Sequence, residues 1–207
     1  MIVISRLYDT YDAAARAIAE LERAGIPEPD MSLIANNAEG WYETRRGTRR
    51  IDRDRDGVDD RVEGAEAGAG IGAAVGGIAG LLAGLGLLAI PGIGPVVAAG
   101  WLASTAALAA VGGAAGGLIG ALTEAGVSRD EAEVYAEGVR RGGTLVTVRC
   151  PEADRARCEA ILDRAAVDTR TRARMWEEGG WNRFDPNTAP YTADEIRRDR
   201  ETWRSRI

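Results

Sequence analysis

The chain has 207 residues and two cysteines, so it can bury a core of its own and needs no disulfide framework. Its net charge is −6, it contains no histidine, and all 26 basic residues are arginine. The absence of histidine and lysine excludes imidazole catalysis, Schiff-base chemistry and lysine-dependent phosphate loops. The acidic balance disfavours nucleic acid as a partner. We therefore expect a protein that is not an enzyme, and no small-molecule substrate is indicated.

The first 40 residues predict one half of a small α+β domain. The β-branched run Ile2–Tyr8 predicts a strand, and a helix capped by Asp9 or Thr10 is expected to reach about Arg23. Residues 30–36 predict a second strand. The N-terminus has no basic start followed by an apolar run, which is the pattern of a signal peptide, so a cytoplasmic location is expected.

Residues 124–175 predict a second half of the same domain. A capping box at Ser128 and Glu131 begins a helix that is expected to end at Gly142. A strand at Thr144–Cys150, a helix over 151–166 and an edge strand over 167–175 follow. Two strand–helix–strand units in this order are typical of a ferredoxin-like sandwich, in which a long insertion would here replace the central hairpin.

That insertion, residues 67–123, holds 16 of the chain's 27 glycines and no charged residue. Glycines recur every four residues on one helical face in each half, with aliphatic residues opposite them, and this spacing predicts two closely packed helices. The helix-packing glycines are Gly68, Gly72, Gly76, Gly80 and Gly84 in the first half and Gly112, Gly116 and Gly120 in the second. Pro91, Gly92, Gly94 and Pro95 break the pattern, which predicts the turn of a helical hairpin.

The aliphatic faces of this glycine-zipper hairpin need a cover, because they carry no charge. Each predicted helix is long enough to reach across a bilayer core, so membrane lipid on the cytoplasmic side of the inner membrane is one candidate. Burial in a homo-oligomer, or against the protein's own domain, is the alternative. The sequence leaves lipid and protein open, because both surroundings are equally apolar.

The charged linker, residues 41–66, contains the ligand spacing of an EF-hand calcium loop. Oxygen ligands would come from Asp52, Asp54, Asp56, Val58 through its carbonyl, Asp60 through water, and Glu63. Ca²⁺ is thus a candidate cofactor, and a calcium-responsive regulatory module is the alternative function. No clear helix precedes the loop and no second loop pairs with it, so a solvated Asp/Arg linker is the competing interpretation.

The last segment, residues 176–207, is rich in aromatic side chains. Trp176, Trp181, Phe184 and Tyr191 precede a helix that is capped by Thr192 and ends near Trp203. These rings predict either a strap for a partner or packing on the protein's own sheet or another subunit. Cys150 and Cys158 are expected to be small core residues.

Four stretches of the sequence together resemble one bacterial family. They are the N-terminal strand–helix–strand, residues 52–66, the run 81–101 and residues 142–146. They are similar to the general stress protein family with a YflT-type N-terminal domain, and the similarity covers most of the chain. The resemblance implies a stress-associated bacterial protein and brings no catalytic residues with it.

Overall fold

A computed structural model of the chain describes residues 1–42, 81, 84–111 and 117–204. These residues form an α+β fold in which helices cover both faces of one antiparallel sheet. The five strands are β1 (Ile2–Tyr8), β2 (Met31–Asn36), β3 (Gly86–Ile90), β4 (Gly94–Gly100) and β5 (Thr144–Cys150). Their order across the sheet is β1-β5-β2-β4-β3, and every neighbouring pair is antiparallel.

Seven α-helices with assigned bounds lie around the sheet within the described ranges. They are α1 (Tyr11–Arg23), α2 (Trp101–Val111), α3 (Gly117–Glu124), α4 (Arg129–Arg140), α5 (Arg155–Leu162), α6 (Thr169–Glu178) and α7 (Ala193–Arg204). Helices α1 and α5 pack on one face of the sheet, while α2, α3 and α4 pack on the other. The sheet is therefore the middle of three layers.

Alternation along the strands explains how one sheet serves two cores. Leu33 and Ala35 of β2 face the core beneath α1, while Ile34 between them faces the core beneath α4. Every residue of β2 is buried, because successive side chains of a strand point to opposite faces and both faces are covered. Full burial of each Leu or Ile contributes about 1.5–3 kcal/mol relative to an exposed position.

Most of the elements predicted outside the insertion are confirmed. Several of the helices among them begin at a side chain that caps the first turn. The Thr10 hydroxyl accepts a hydrogen bond from the Ala13 amide at 3.2 Å, and the Ser128 hydroxyl accepts one from the Glu131 amide at 3.3 Å. Thr192 and Glu195 form the reciprocal bonds of a capping box at the start of α7. Strands β1, β2 and β5 also occupy their predicted places.

The helices predicted on either side of the turn are wrong over residues 86–89 and 96–100, because these residues belong to the strands of the β3–β4 hairpin. Gly92, Gly94 and Gly100 have φ angles of +75°, +96° and +87°, which a right-handed helix does not contain. Gly100 ends β4 in this conformation and α2 begins at the next residue. The hairpin joins the central sheet through β4, which pairs with β2.

The edge strand predicted over residues 167–175 is also wrong, and α6 stands in its place. The Asp168 carboxylate accepts hydrogen bonds from the Arg170 and Thr171 amides at 3.1 and 3.2 Å, so it caps a helix. The described strands therefore contain the first strand–helix–strand unit, with β5 inserted between its two parallel strands, but not a second such unit. The predicted ferredoxin-like pairing of the second half is not formed.

The aromatic tail packs on the protein's own domain, which confirms one of the two interpretations of its rings. Trp176 and Phe184 are buried, and Phe184 joins the core beneath α4. Arg141 stacks on both Trp176 and Tyr191, with its guanidinium carbon 5.0 and 5.1 Å from the ring centres. The same guanidinium binds the buried Glu137 carboxylate at 2.6 Å, so the tail closes over a paired buried charge.

We expect Gly100→Ala to destabilise the fold by about 2–4 kcal/mol, because the residue needs a positive φ and a Cβ there would lie 2.2 Å from the Met31 carbonyl oxygen. Thermal unfolding followed by circular dichroism should show a melting temperature lower by roughly 5–15 °C. Gly120→Ala is the matched control, since a Cβ at that helical position meets nothing within 4 Å. The control should be neutral or stabilising by up to about 1 kcal/mol. Equal melting of both variants would contradict this account.

Candidate functional site

The predicted calcium ligands lie outside the described residues. Asp52, Asp54, Asp56, Val58, Asp60 and Glu63 all belong to residues 43–80, so the predicted loop geometry stays a prediction. In the part of the chain that the structure describes, no group of three or more His, Cys, Asp or Glu side chains could hold a metal ion.

The predicted glycine faces are described at two positions. Gly84 lies in a turn before β3 and is exposed, so its predicted role in helix packing is wrong. Gly120 does lie in a helix, α3, but it is exposed, and no atom of the described residues comes within 4 Å of a Cβ built at that position. The remaining glycines of the predicted zipper lie outside the described residues: Gly68, Gly72, Gly76, Gly80, Gly112 and Gly116.

Of the predicted turn residues, Pro91 and Gly92 lie in a turn over residues 91–93 that joins two strands, while Gly94 and Pro95 already belong to β4. The Ile93 amide donates to the Ile90 carbonyl at 3.0 Å, and Ile90 pairs with Gly94 across the hairpin. The tail lies directly on this turn. A Cβ at Gly92 would lie 2.6 Å from the Pro186 Cα, and one at Gly94 would lie 2.8 Å from the Pro190 Cβ.

Among the described residues, strand β3 presents an open apolar edge. Its sequence is Gly-Leu-Leu-Ala-Ile, and among the described strands it pairs with β4 alone. Gly86, Leu87 and Ala89 are exposed, and Leu88 is half-buried. Leu87 is 47 % exposed and is, with Met1, one of two large hydrophobic side chains exposed in the described ranges. Proteins usually blunt a strand edge with charge, proline or a covering segment, because an open edge can pair with another chain.

The opposite edge of the sheet, at β1, is blocked by a charged side chain and by a covering segment. The Ser5 carbonyl accepts hydrogen bonds from the Tyr135 hydroxyl at 2.6 Å and from the Arg6 guanidinium at 2.9 Å. Two residues further on, the Leu7 carbonyl accepts a hydrogen bond from the Val167 amide at 2.8 Å. A charged side chain and a crossing segment thus occupy the β1 edge, so the two edges of the sheet differ in kind.

The residue that leads into β3 is anchored to the first half of the chain. The Tyr42 hydroxyl donates a hydrogen bond to the Leu85 carbonyl at 2.5 Å, and both residues are buried. Trp41 precedes Tyr42 and donates from its indole to the Asn36 carbonyl at 2.7 Å. These bonds hold the start of β3 in position, which lowers the entropy that pairing with another strand would cost.

The cysteines are not poised as nucleophiles. Cys150 and Cys158 are both fully buried, as expected from the sequence. Burial and then a hydrogen bond with Cys158 raise the pKa of the Cys150 thiol to about 12, so its reactive thiolate is scarce at neutral pH. Burial likewise raises the pKa of the Tyr8 and Tyr135 hydroxyls well above the ordinary value.

Sequence reasoning missed the β3 edge because the four-residue glycine spacing favours a helix. A competing signal was present in the same stretch. Two short apolar runs separated by Pro91, Gly92 and Ile93 also fit a β-hairpin with a glycine-containing loop. No local sequence pattern indicates which of the two strands of the hairpin pairs with the rest of the sheet.

Comparison with protein-family models, with curated proteins and with solved structures finds no match to this chain. None of the described helices has the length and apolar composition that crossing a bilayer requires.

We expect neither cysteine to react with iodoacetamide in the folded protein at about pH 8, because both thiols are buried and the Cys150 thiol stays protonated. In denaturant both should be alkylated within minutes. Mass spectrometry of intact protein counts the added groups, and the unfolded sample is the control for reagent quality. Rapid labelling of the folded protein would contradict the buried placement.

Proposed function

We propose that the protein is a non-enzymatic bacterial stress protein that works by associating with further copies of itself or with membrane lipid through residues 67–123. The observation that carries this proposal is the open apolar edge of β3, which lies in the charge-free part of the chain. The family resemblance of the sequence supports the stress role. Buried thiols and the absence of histidine and lysine support a role without catalysis.

For the β3 edge itself, a second protein chain is a better partner than lipid. The outer side of an edge strand presents backbone N–H and C=O groups that need hydrogen-bond partners. Lipid supplies none, and each unsatisfied group would cost several kcal/mol in a bilayer core. A second copy of β3 offers the complementary groups, so we favour a homo-oligomer over a membrane-embedded edge.

Pairing of two β3 strands would not be the whole interface. A strand of five residues spans about 17 Å, and an interface of that length is small beside the roughly 1,200–2,000 Å² of a stable complex. The neighbouring glycine-rich segment, residues 67–80, is free of charge and precedes β3 in the chain. We infer that this segment supplies the rest of the contact, either to another copy or to lipid.

Leu87→Lys should weaken self-association at least about tenfold, because a charge on the open edge opposes burial and strand pairing. Size exclusion with light scattering over a concentration series measures the effect. Ala156→Lys is the matched control, since it adds the same charge at an exposed position on α5, away from the hairpin. A wild-type protein that is monomeric at all concentrations, or a Leu87→Lys protein as large as wild type, would refute assembly through β3.

Fractionation of cells that express the full chain separates the two partners. A protein that stays with membranes through alkaline carbonate and leaves only with detergent is inserted in lipid. A protein that is found in the cytosol as an oligomer supports assembly, and loss of that oligomer in Leu87→Lys assigns the contact to the same segment. A cytosolic monomer would contradict both forms of the proposal.

A calcium-responsive function is the second proposal, and the spacing of oxygen ligands from Asp52 to Glu63 supports it. Isothermal titration with Ca²⁺ should show binding at concentrations of about 1 mM or below that is lost in Asp52→Ala with Glu63→Ala. Asp59→Ala is the control, because position 8 of the loop is not a ligand position. Absence of heat with the wild-type protein at about 1 mM calcium would end this proposal.

A further inference from the structure

A polar cleft lies beside β1, at the edge of the sheet opposite to β3. It has a volume of about 700 Å³, which is the size of sites that take small organic ligands. Its floor is Arg6 of β1, one wall is α4, and the other is the start of α6 with the segment that precedes it. The charged residues that line it are Arg6, Glu131, Asp163, Asp168, Arg170 and Arg174.

The carboxylates that line this cleft are already engaged by donors within the protein. Asp163 accepts a hydrogen bond from the Arg6 guanidinium at 2.5 Å. Asp168 caps α6 through two backbone amides and also accepts from the Thr171 hydroxyl at 2.7 Å. The Glu131 carboxylate lies 2.9 Å from the Tyr135 hydroxyl, whose single proton it shares with the Ser5 carbonyl. The anionic groups of the cleft therefore have internal partners and do not call for an added cation.

Two arginines of the cleft differ from its carboxylates, because their guanidinium groups have no partner among the described residues. Arg170 and Arg174 both line it and are four residues apart on α6, so they lie one turn apart on the same side of the helix. Among the described residues, no hydrogen bond or ion pair engages either side chain, although the Arg174 charge helps to lower the pKa of the Asp168 carboxyl. Both charges remain available to a ligand.

The wall and the floor around these arginines are fixed. Helix α6 is held by its Asp168 cap, by the buried Trp176 and by the ion pair of Arg172 with Asp9 at 3.0 Å. On the α4 wall, Tyr135 is 1 % exposed, and its hydroxyl bonds the Ser5 carbonyl of the β1 floor. A ligand would meet a largely preformed surface, so binding would cost little entropy for the ordering of side chains.

We propose that this cleft binds a small organic anion whose phosphate or paired carboxylate groups lie against Arg170 and Arg174. Guanidinium groups recognise both kinds of oxyanion through paired N–H donors. Two cations one turn apart match a doubly charged ligand better than a single carboxylate. An apolar ligand does not fit the charged lining. This site is independent of the β3 edge and of the proposed assembly.

Isothermal titration of the full-length protein with pyrophosphate, and separately with citrate, tests the proposal. We expect saturable binding of at least one probe at concentrations below about 10 mM, and Arg170→Gln with Arg174→Gln should weaken it at least about tenfold. Pyrophosphate binding alone would identify a phosphate ligand, and citrate binding alone would identify a polycarboxylate.

Arg157→Gln with Arg164→Gln is the matched control, because it removes the same charge from two exposed arginines that do not line the cleft. The control should change binding less than about twofold. Circular dichroism of both double variants shows whether α6 is still folded. Failure of both probes to bind the wild-type protein, or equal weakening in the two double variants, would overturn the site and leave the assembly proposal untouched.

Discussion

The position of β5 between β1 and β2 is the constraint on which the rest of the sheet depends. β5 is antiparallel to both neighbours, and it joins residues 2–8 and 31–36 to a strand more than a hundred residues further along the chain. Ser5 and Thr147 share a buried hydrogen bond of 3.1 Å across this junction. Because such non-local pairing costs loop entropy before any contact forms, β1 and β2 have no shared sheet until the second half of the chain arrives.

The C-terminal tail also depends on the position of β5, because it is held by the helix that leads into this strand. Helix α4 leads into β5, and its last turn carries the buried Glu137 with Arg140 and Arg141 around it. Arg141 reaches Asp199 of α7 at 2.8 Å, so the charge network of α4 also fixes the last helix. A buried carboxylate without such partners would be strongly destabilising, which ties the order of the tail to that of the core.

Local chemistry decided which elements could be predicted from the sequence. Caps at Thr10, Ser128 and Thr192 and the β-branched run of β1 specify their elements through neighbouring residues, and these predictions are confirmed. Gly100 combines a positive φ with a close approach of its backbone to β2, which is far away in sequence. The open edge of the candidate site also depends on residues far away in sequence. The residues of β3, 86–90, do not indicate whether β3 or β4 pairs with the rest of the sheet.

The unequal edges of the sheet limit what strand addition can build. An edge blocked by Tyr135, Arg6 and Val167 cannot accept the β3 strand of another molecule. Only the β3 edge is open among the described strands, so in the proposed assembly each copy would offer the same surface to its neighbour and the contact would be isologous. Such pairing would close after two copies around a two-fold axis, so strand addition at the edge of the sheet would stop at a dimer and would not extend into a fibre.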